Sequence, residues 1–147
     1  MPHSLPPKRG FGKLFTFKKM GLLFKRPALE EQFYSHEGMD ARLRGMILEL
    51  AGFVSRTAGK NLVVTEVRRT PERQREIYGC LKPSRHLDSP CGAVDLRSRG
   101  FTAEEILEQQ NWIEYWYGDW GIRFIHHDVG RGEHIHIQVP RLVGSRR

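Results

Sequence analysis

The segment His134-Ile-His-Ile-Gln-Val139 alternates polar and apolar side chains without a break. A period of two is the mark of a β-strand buried on one face only. Ile135, Ile137 and Val139 then share one face, and His134, His136 and Gln138 share the other. Burial in a core accounts for the first face. The second puts two imidazoles one pleat apart on a sheet, an arrangement suited to a metal ion or a catalytic group.

The rest of the chain supplies partners for this strand. Gly121 to His127 reads as a strand, and Asp128-Val-Gly-Arg-Gly-Glu133 as a turn, so the last two strands form an antiparallel hairpin. Leu62–Val67 is short and β-branched, and Ala93–Arg97 is a further strand. Asp40 caps a helix to about Thr57, with Leu43, Met46, Ile47, Leu50, Phe53 and Val54 as one apolar stripe and Gly59 as its stop. Thr70-Pro71-Glu72 starts a second helix that ends near Gly79. Thr102 and Glu105 form a capping box that opens a third, running through Trp112 and Trp116 to about Tyr117. Trp112, Tyr115, Trp116, Tyr117 and Trp120 are expected to pack in the core and the groove wall. Residues 80–92 hold two prolines, two cysteines and Gly92, so they read as a loop. The expectation is an α+β domain: a small antiparallel sheet of four strands packed by about three helices.

At 147 residues one domain is natural. Two cysteines, Cys80 and Cys91, are too few for a disulfide scaffold or a four-thiolate zinc site, and in a reducing compartment they are expected to stay free thiols. The net charge of +7 is unevenly placed, because residues 1–27 carry seven bases and no acid while residues 28–147 are balanced at 17 of each. Residues 1–27 also hold three prolines before position 8 and glycines at 10, 12 and 21, so they read as a basic tail on a domain spanning 28–147. Phenylalanines between its lysines (Phe11, Phe15, Phe17, Phe24) would suit contact with an anionic envelope surface. A neutral body argues against nucleic acid as partner. No apolar run reaches the roughly 18 residues of a membrane span. Lys18 and Lys19 interrupt any secretory leader. A cytoplasmic monomer at synthesis is therefore expected.

Residue types and placement single out the chemistry. Asp95 lies on the opposite side of its strand from Val94 and Leu96, and His86 precedes it in the loop. His86, Asp95 and His136 can be the three ligands of a catalytic zinc, which leaves one position for water. Glu133, three residues before His136, is the expected general base. Of the adjacent His126 and His127, a strand sends only one toward the site.

The blocks Ser84-Arg-His86…Ala93-Val-Asp95 and Glu133-His-Ile-His136 resemble a family of zinc peptidases. Its members act on D-alanyl-D-alanine and L-alanyl-D-glutamate bonds of peptidoglycan. Its fold is shared with lysostaphin-type peptidases and hedgehog signalling domains. The family pattern is Ser-x-His-x-x-Gly-x-Ala-x-Asp followed by Glu-x-x-His. Val64-Thr65…Arg69-Thr-Pro-Glu-Arg-Gln74 is similar to the family's earlier Tyr-Arg-Ser-x-x-x-Gln region, and the resemblance spans about residues 40–140. It implies zinc on His86, Asp95 and His136, Glu133 as base, and Arg69 holding a substrate oxygen. It also implies contributions to the reacting group from His134, and to substrate binding from Arg69, Gln74 and Ser84. Three departures stand out: His86 and Asp95 lie two residues further apart than in the pattern, Cys91 occupies its glycine position, and Arg68 its tyrosine position.

The function implied is zinc-dependent hydrolysis of an amide bond in a peptidoglycan stem peptide, by a D,D-carboxypeptidase or an L-Ala-D-Glu endopeptidase. Without a leader such an enzyme would reach the wall on release, as a phage or prophage lysin does. The alternatives are a non-catalytic zinc-containing module that binds a peptide or the wall, and a histidine-rich metallonuclease.

Overall fold

In the computed structural model, which describes residues 21–128 and 132–142, the chain builds five strands and four α-helices. The strands are β1 (Leu22–Phe24), β2 (Leu62–Glu66), β3 (Ala93–Arg97), β4 (Arg123–Asp128) and β5 (Glu133–Gln138). The helices are α1 (Pro27–Tyr34), α2 (Ala41–Ala58), α3 (Pro71–Tyr78) and α4 (Ala103–Tyr117). The strands form one sheet in the order β1-β2-β3-β5-β4.

The α+β class holds, but the sheet is larger and mixed. β2, β3, β5 and β4 pair antiparallel as the alternating patterns require, and β1 adds to β2 in parallel. The tail expected over residues 1–27 therefore ends too late, since its last residues supply β1; residues 1–20 lie outside the described residues. Gly21 makes this edge possible. Its φ of +101° is left-handed, and a Cβ there would meet the Ala51 carbonyl oxygen at 2.9 Å. Asn61 Oδ1 accepts from the Gly21 N–H at 2.7 Å, and the Gly21 carbonyl accepts from Leu62 N at 2.7 Å, so β1 is locked beside β2.

The extra helix, α1, begins with Pro27 at its first position and buries Leu29 and Phe33, one turn apart. α2 starts on Asp40, whose side chain accepts from Arg42 N, and ends on Gly59 in the left-handed conformation. It buries Leu43, Met46, Ile47, Leu50 and Val54 of the stripe read from its spacing, together with Ala51, while Phe53 stays half-buried at the edge of the core. α3 is capped by Thr70, and α4 by the full Thr102–Glu105 box. Phe53 of α2 stacks on Trp112 of α4 at 5.5 Å, joining the two helices.

These elements make two unequal layers. Leu22, Leu62, Val64, Val94, Leu96, Ile135 and Ile137 form the apolar sheet face and are buried against helix residues. At about 1.5–3 kcal/mol per fully buried aliphatic side chain, this face anchors the register of every strand. The opposite face is polar, and a cleft of about 850 Å³ lies over it, with α3 and the 82–86 loop along one side. No described helix is long and apolar enough to cross a membrane.

Candidate metal centre

The floor of the cleft is set by strand register. Asp95 of β3 stands directly opposite His136 of β5, and Arg97 opposite His134. On β4, His127 faces His134 and Arg123 faces Gln138. Cross-strand pairs on one face bring side chains within about 5 Å. His127 accordingly lines the cleft, whereas His126 turns away and meets Glu133 at 3.3 Å.

His86 comes from the 80–92 loop, which contains a single 3-10 turn at Arg85–Leu87. Ser84 caps that turn by accepting from His86 N at 3.2 Å. Arg85 fixes the loop to the sheet, since it donates to the Val139 carbonyl at 3.1 Å and pairs with Asp88. Its guanidinium passes so close over Gly92 that a Cβ there would lie 2.0 Å from it, so a larger residue would displace the guanidinium from its partners. The chain between His86 and Asp95 runs through this braced loop. His86 Nε2 arrives 3.1 Å from Asp95 Oδ1.

Both imidazoles are oriented from outside. A carbonyl oxygen only accepts, so His86 Nδ1 carries the proton that it gives to the Val67 carbonyl. The β-bulge between Val64 and Glu66 lies just ahead of this carbonyl. His136 Nε2 likewise donates to Gln138 Oε1 at 2.8 Å. The inner nitrogens, His86 Nε2 and His136 Nδ1, both point at Asp95 Oδ1, at 3.1 and 2.8 Å. Two neutral imidazoles held this way aim lone pairs at a carboxylate oxygen. Protons or a cation must lie between them.

The donor set fits a metal ion. One ligand atom from each of His86, Asp95 and His136 falls within 4.8 Å of the others. Donors at about 2.0–2.1 Å from a tetrahedral ion stand about 3.3 Å apart, close to the spacings above. Outward N–H bonds of the kind made to Val67 and Gln138 are how ligating histidines are usually held. Asp95 is buried, which by itself would raise its pKa. With protons rather than an ion between them, the charge of the His86 imidazole and the hydrogen bonds donated by His136 and His86 outweigh that and hold the carboxyl well below the usual carboxylate range.

The other expected site residues fall at graded distances. Arg69 is buried, with Nη2 3.6 Å from Asp95 Oδ2, and its backbone N–H donates to the His86 carbonyl at 2.9 Å. Gln74 is fully buried and spends its amide on Arg69 Nη1 at 2.7 Å and the Lys82 carbonyl at 2.6 Å. It braces Arg69 and has no surface left for substrate. Ser84 lines the cleft but works as the turn's cap. His134 Nε2 is 3.8 Å from Asp95 Oδ2, and its ring lies 4.4 Å from that of His127. Glu133 reaches the cleft mouth, but its side chain is 69% exposed and its carboxylate pairs with His126, on the side turned away from the cleft.

Two features escape the sequence patterns. Gln138 serves as the outer partner of His136, a role signalled only by its place on the histidine face. Among the described residues, the buried Nε2 of His127 has no hydrogen-bond partner; burial and the neighbouring His134 and His136 hold its pKa down. Of the aromatic residues expected to wall the groove, Trp112 packs against the core, but Tyr115 and Trp116 are 79% and 62% exposed, and none lines the cleft. Cys80 and Cys91 are free, and burial pushes the Cys91 thiol up to about 12. No family model, curated protein or solved structure matches the chain.

Proposed function

We propose that this protein is a zinc-dependent amide hydrolase acting on peptidoglycan stem peptides. The observation that carries the reading is the convergence of His86 Nε2 and His136 Nδ1 on Asp95 Oδ1, with Arg69 buried alongside. Two imidazoles and a carboxylate, open to a cleft on one side, are the ligand set of a catalytic rather than a structural zinc.

When bound, zinc supplies a Lewis acid for the scissile carbonyl and makes water acidic enough to attack near neutral pH. His86, Asp95 and His136 hold it. Arg69 stabilises the negative charge that develops on the carbonyl oxygen, and its fixed position between Gln74 and Asp95 means no reorganisation at the moment of reaction. Glu133 accepts the proton of the attacking water and returns it to the leaving amine. To do so it exchanges its exposed contact with His126, a type of pair worth at most about 1 kcal/mol, for the water. His134 steadies the substrate beside Asp95.

The charge of the cleft favours a second reading, metal-assisted phosphodiester hydrolysis. Residues 28–147 are neutral in total, but their part of the cleft lining holds six Lys and Arg against three Asp and Glu, and Lys25 and Arg26 add two more bases. The deciding experiment is mass spectrometry of defined muropeptides incubated with zinc-loaded protein, alongside nicking of supercoiled DNA. Hydrolysis abolished by a chelator and by Glu133→Gln, with zinc uptake unchanged in that variant, is the expected result. An active Glu133→Gln would refute the base assignment. Intact muropeptides together with nicked DNA would overturn the reading in favour of the second.

A further inference from the structure

Two cations on the cleft floor stand apart from the machinery just described. Arg97 of β3 is half-buried, and Arg123 of β4 is exposed. Both line the cleft, and among the described residues neither side chain has an ion pair or hydrogen bond. This sets them off from Arg69 and Arg73, which have carboxylate partners.

Their positions follow from the register. Arg97 lies in the row Arg97–His134–His127, and Arg123 in the row of Ala93, Gln138 and Arg123. The row of Asp95 and His136, with the candidate ligands, runs between these two. Arg97 and Arg123 therefore flank the metal centre on opposite sides and across two strand spacings. Four residues of rise along the strands and two inter-strand gaps put their Cα atoms about 17 Å apart. That is the length of about five residues of extended chain.

The half-buried Arg97 guanidinium has lost part of its hydration with no described acid beside it, and a ligand anion would offset that loss, while the exposed Arg123 offers an unpaired charge at the other end of the cleft floor. We propose that the cleft takes an extended peptide with an anionic group on each side of the metal centre, one held by Arg97 and the other by Arg123. The bond cut is then internal. A terminal dipeptide unit spans about 7 Å and would leave one of the two cations unused. This inference rests on the amide-hydrolase reading for the cleavage, but the charge recognition is testable without turnover.

The probes are fluorescent pentapeptides of stem-peptide sequence, made uncleavable by a reduced amide at the central bond. They carry two carboxylates, one at either end, or none, the others being carboxamides. Binding to the zinc-loaded full chain is read by anisotropy. The dianionic peptide is expected to bind at least about tenfold tighter than the neutral one, since a charge-assisted hydrogen bond commonly contributes that much. Arg97→Gln should erase the benefit of one carboxylate and Arg123→Gln that of the other. Arg97→Lys should recover most of the loss, which a general unfolding would not allow. Equal affinity for charged and neutral peptides, or variants indifferent to peptide charge, would overturn the proposal. So would displacement of the peptide by a single-stranded oligonucleotide of equal charge at lower concentration. With the cleavable peptides, release of an internal fragment is expected, and release of the terminal residue alone overturns internal cleavage. Charge-dependent binding with no cleavage of any peptide would defeat the hydrolase reading and leave the charge recognition standing.

Discussion

Gln138 shows how much of the centre depends on a side chain that binds nothing itself. Its Oε1 takes the Nε2 proton of His136, which fixes the ring's tautomer and turns Nδ1 toward Asp95. Gln138→Leu keeps the approximate volume and removes the acceptor. Zinc affinity should fall about 10–100-fold, measured by competition with a chromophoric chelator, while His136→Ala should abolish specific uptake. Asp95 and His136 were legible in the sequence from strand parity and residue type, and His86 from its residue type and its place in the loop leading to Asp95. Gln138 shared the parity but not the chemistry, so it could be placed and not interpreted. Gln74 and Ser84 went the other way. Their types suit substrate binding, but whether an amide or hydroxyl faces a ligand or a neighbouring backbone depends on contacts across the chain, here Arg69, Lys82 and His86.

Among the elements, the patterned strands and the capped helices were legible, and β1 and α1 were not. α2 has both a cap and a stripe, and Asp40 does two jobs at its start. Its Oδ1 accepts from Arg42 N at 2.9 Å, and Oδ2 pairs with Arg42 Nη2 at 2.7 Å. Burial would raise the Asp40 pKa, but the hydrogen bonds from Arg42 and its charge prevail and lower it. A carboxyl with a folded pKa below its unfolded value near 3.9 stabilises above that value and loses the effect as pH falls through the folded one. Asp40→Ala should therefore cost about 1–2 kcal/mol at pH 7, with a difference from wild type that shrinks toward pH 2, measured by urea titration. Asp40→Asn should keep the cap and lose the pH dependence. β1 escaped notice for a physical reason. Three residues are too few to show a period, and a parallel edge strand is defined by its partner, Leu62–Val64, some 40 positions later. Its neighbour α1 carried a signal, Pro27 followed by Leu29 and Phe33 at helical spacing.

For the whole molecule, the two faces of the sheet divide the work. The apolar face holds the helices, and the polar face carries the metal centre and the flanking cations, so folding and ligand binding draw on different residues of the same strands. Total charge was a poor guide to this arrangement, because the neutral body concentrates bases on the cleft and acids elsewhere, as along α4 with Glu104, Glu105, Glu108 and Glu114. The same division makes metal binding visible as stability. His86, Asp95 and His136 come from a loop and two strands that meet only in the native fold, so the unfolded chain has no comparable site. A ligand that binds only the native state adds about 2.7 kcal/mol at 100 times its dissociation constant. For a chain of this length that corresponds to a rise in Tm of about 5–10 °C. Calorimetry of the metal-stripped protein with and without zinc should show this shift, and a chelator should reverse it. Asp95→Asn should cancel the shift even if the variant is itself less stable, since each protein serves as its own reference. A wild-type Tm that does not respond to zinc would mean that the two imidazoles and Asp95 are held together by protons alone, and the hydrolase reading would fail with it.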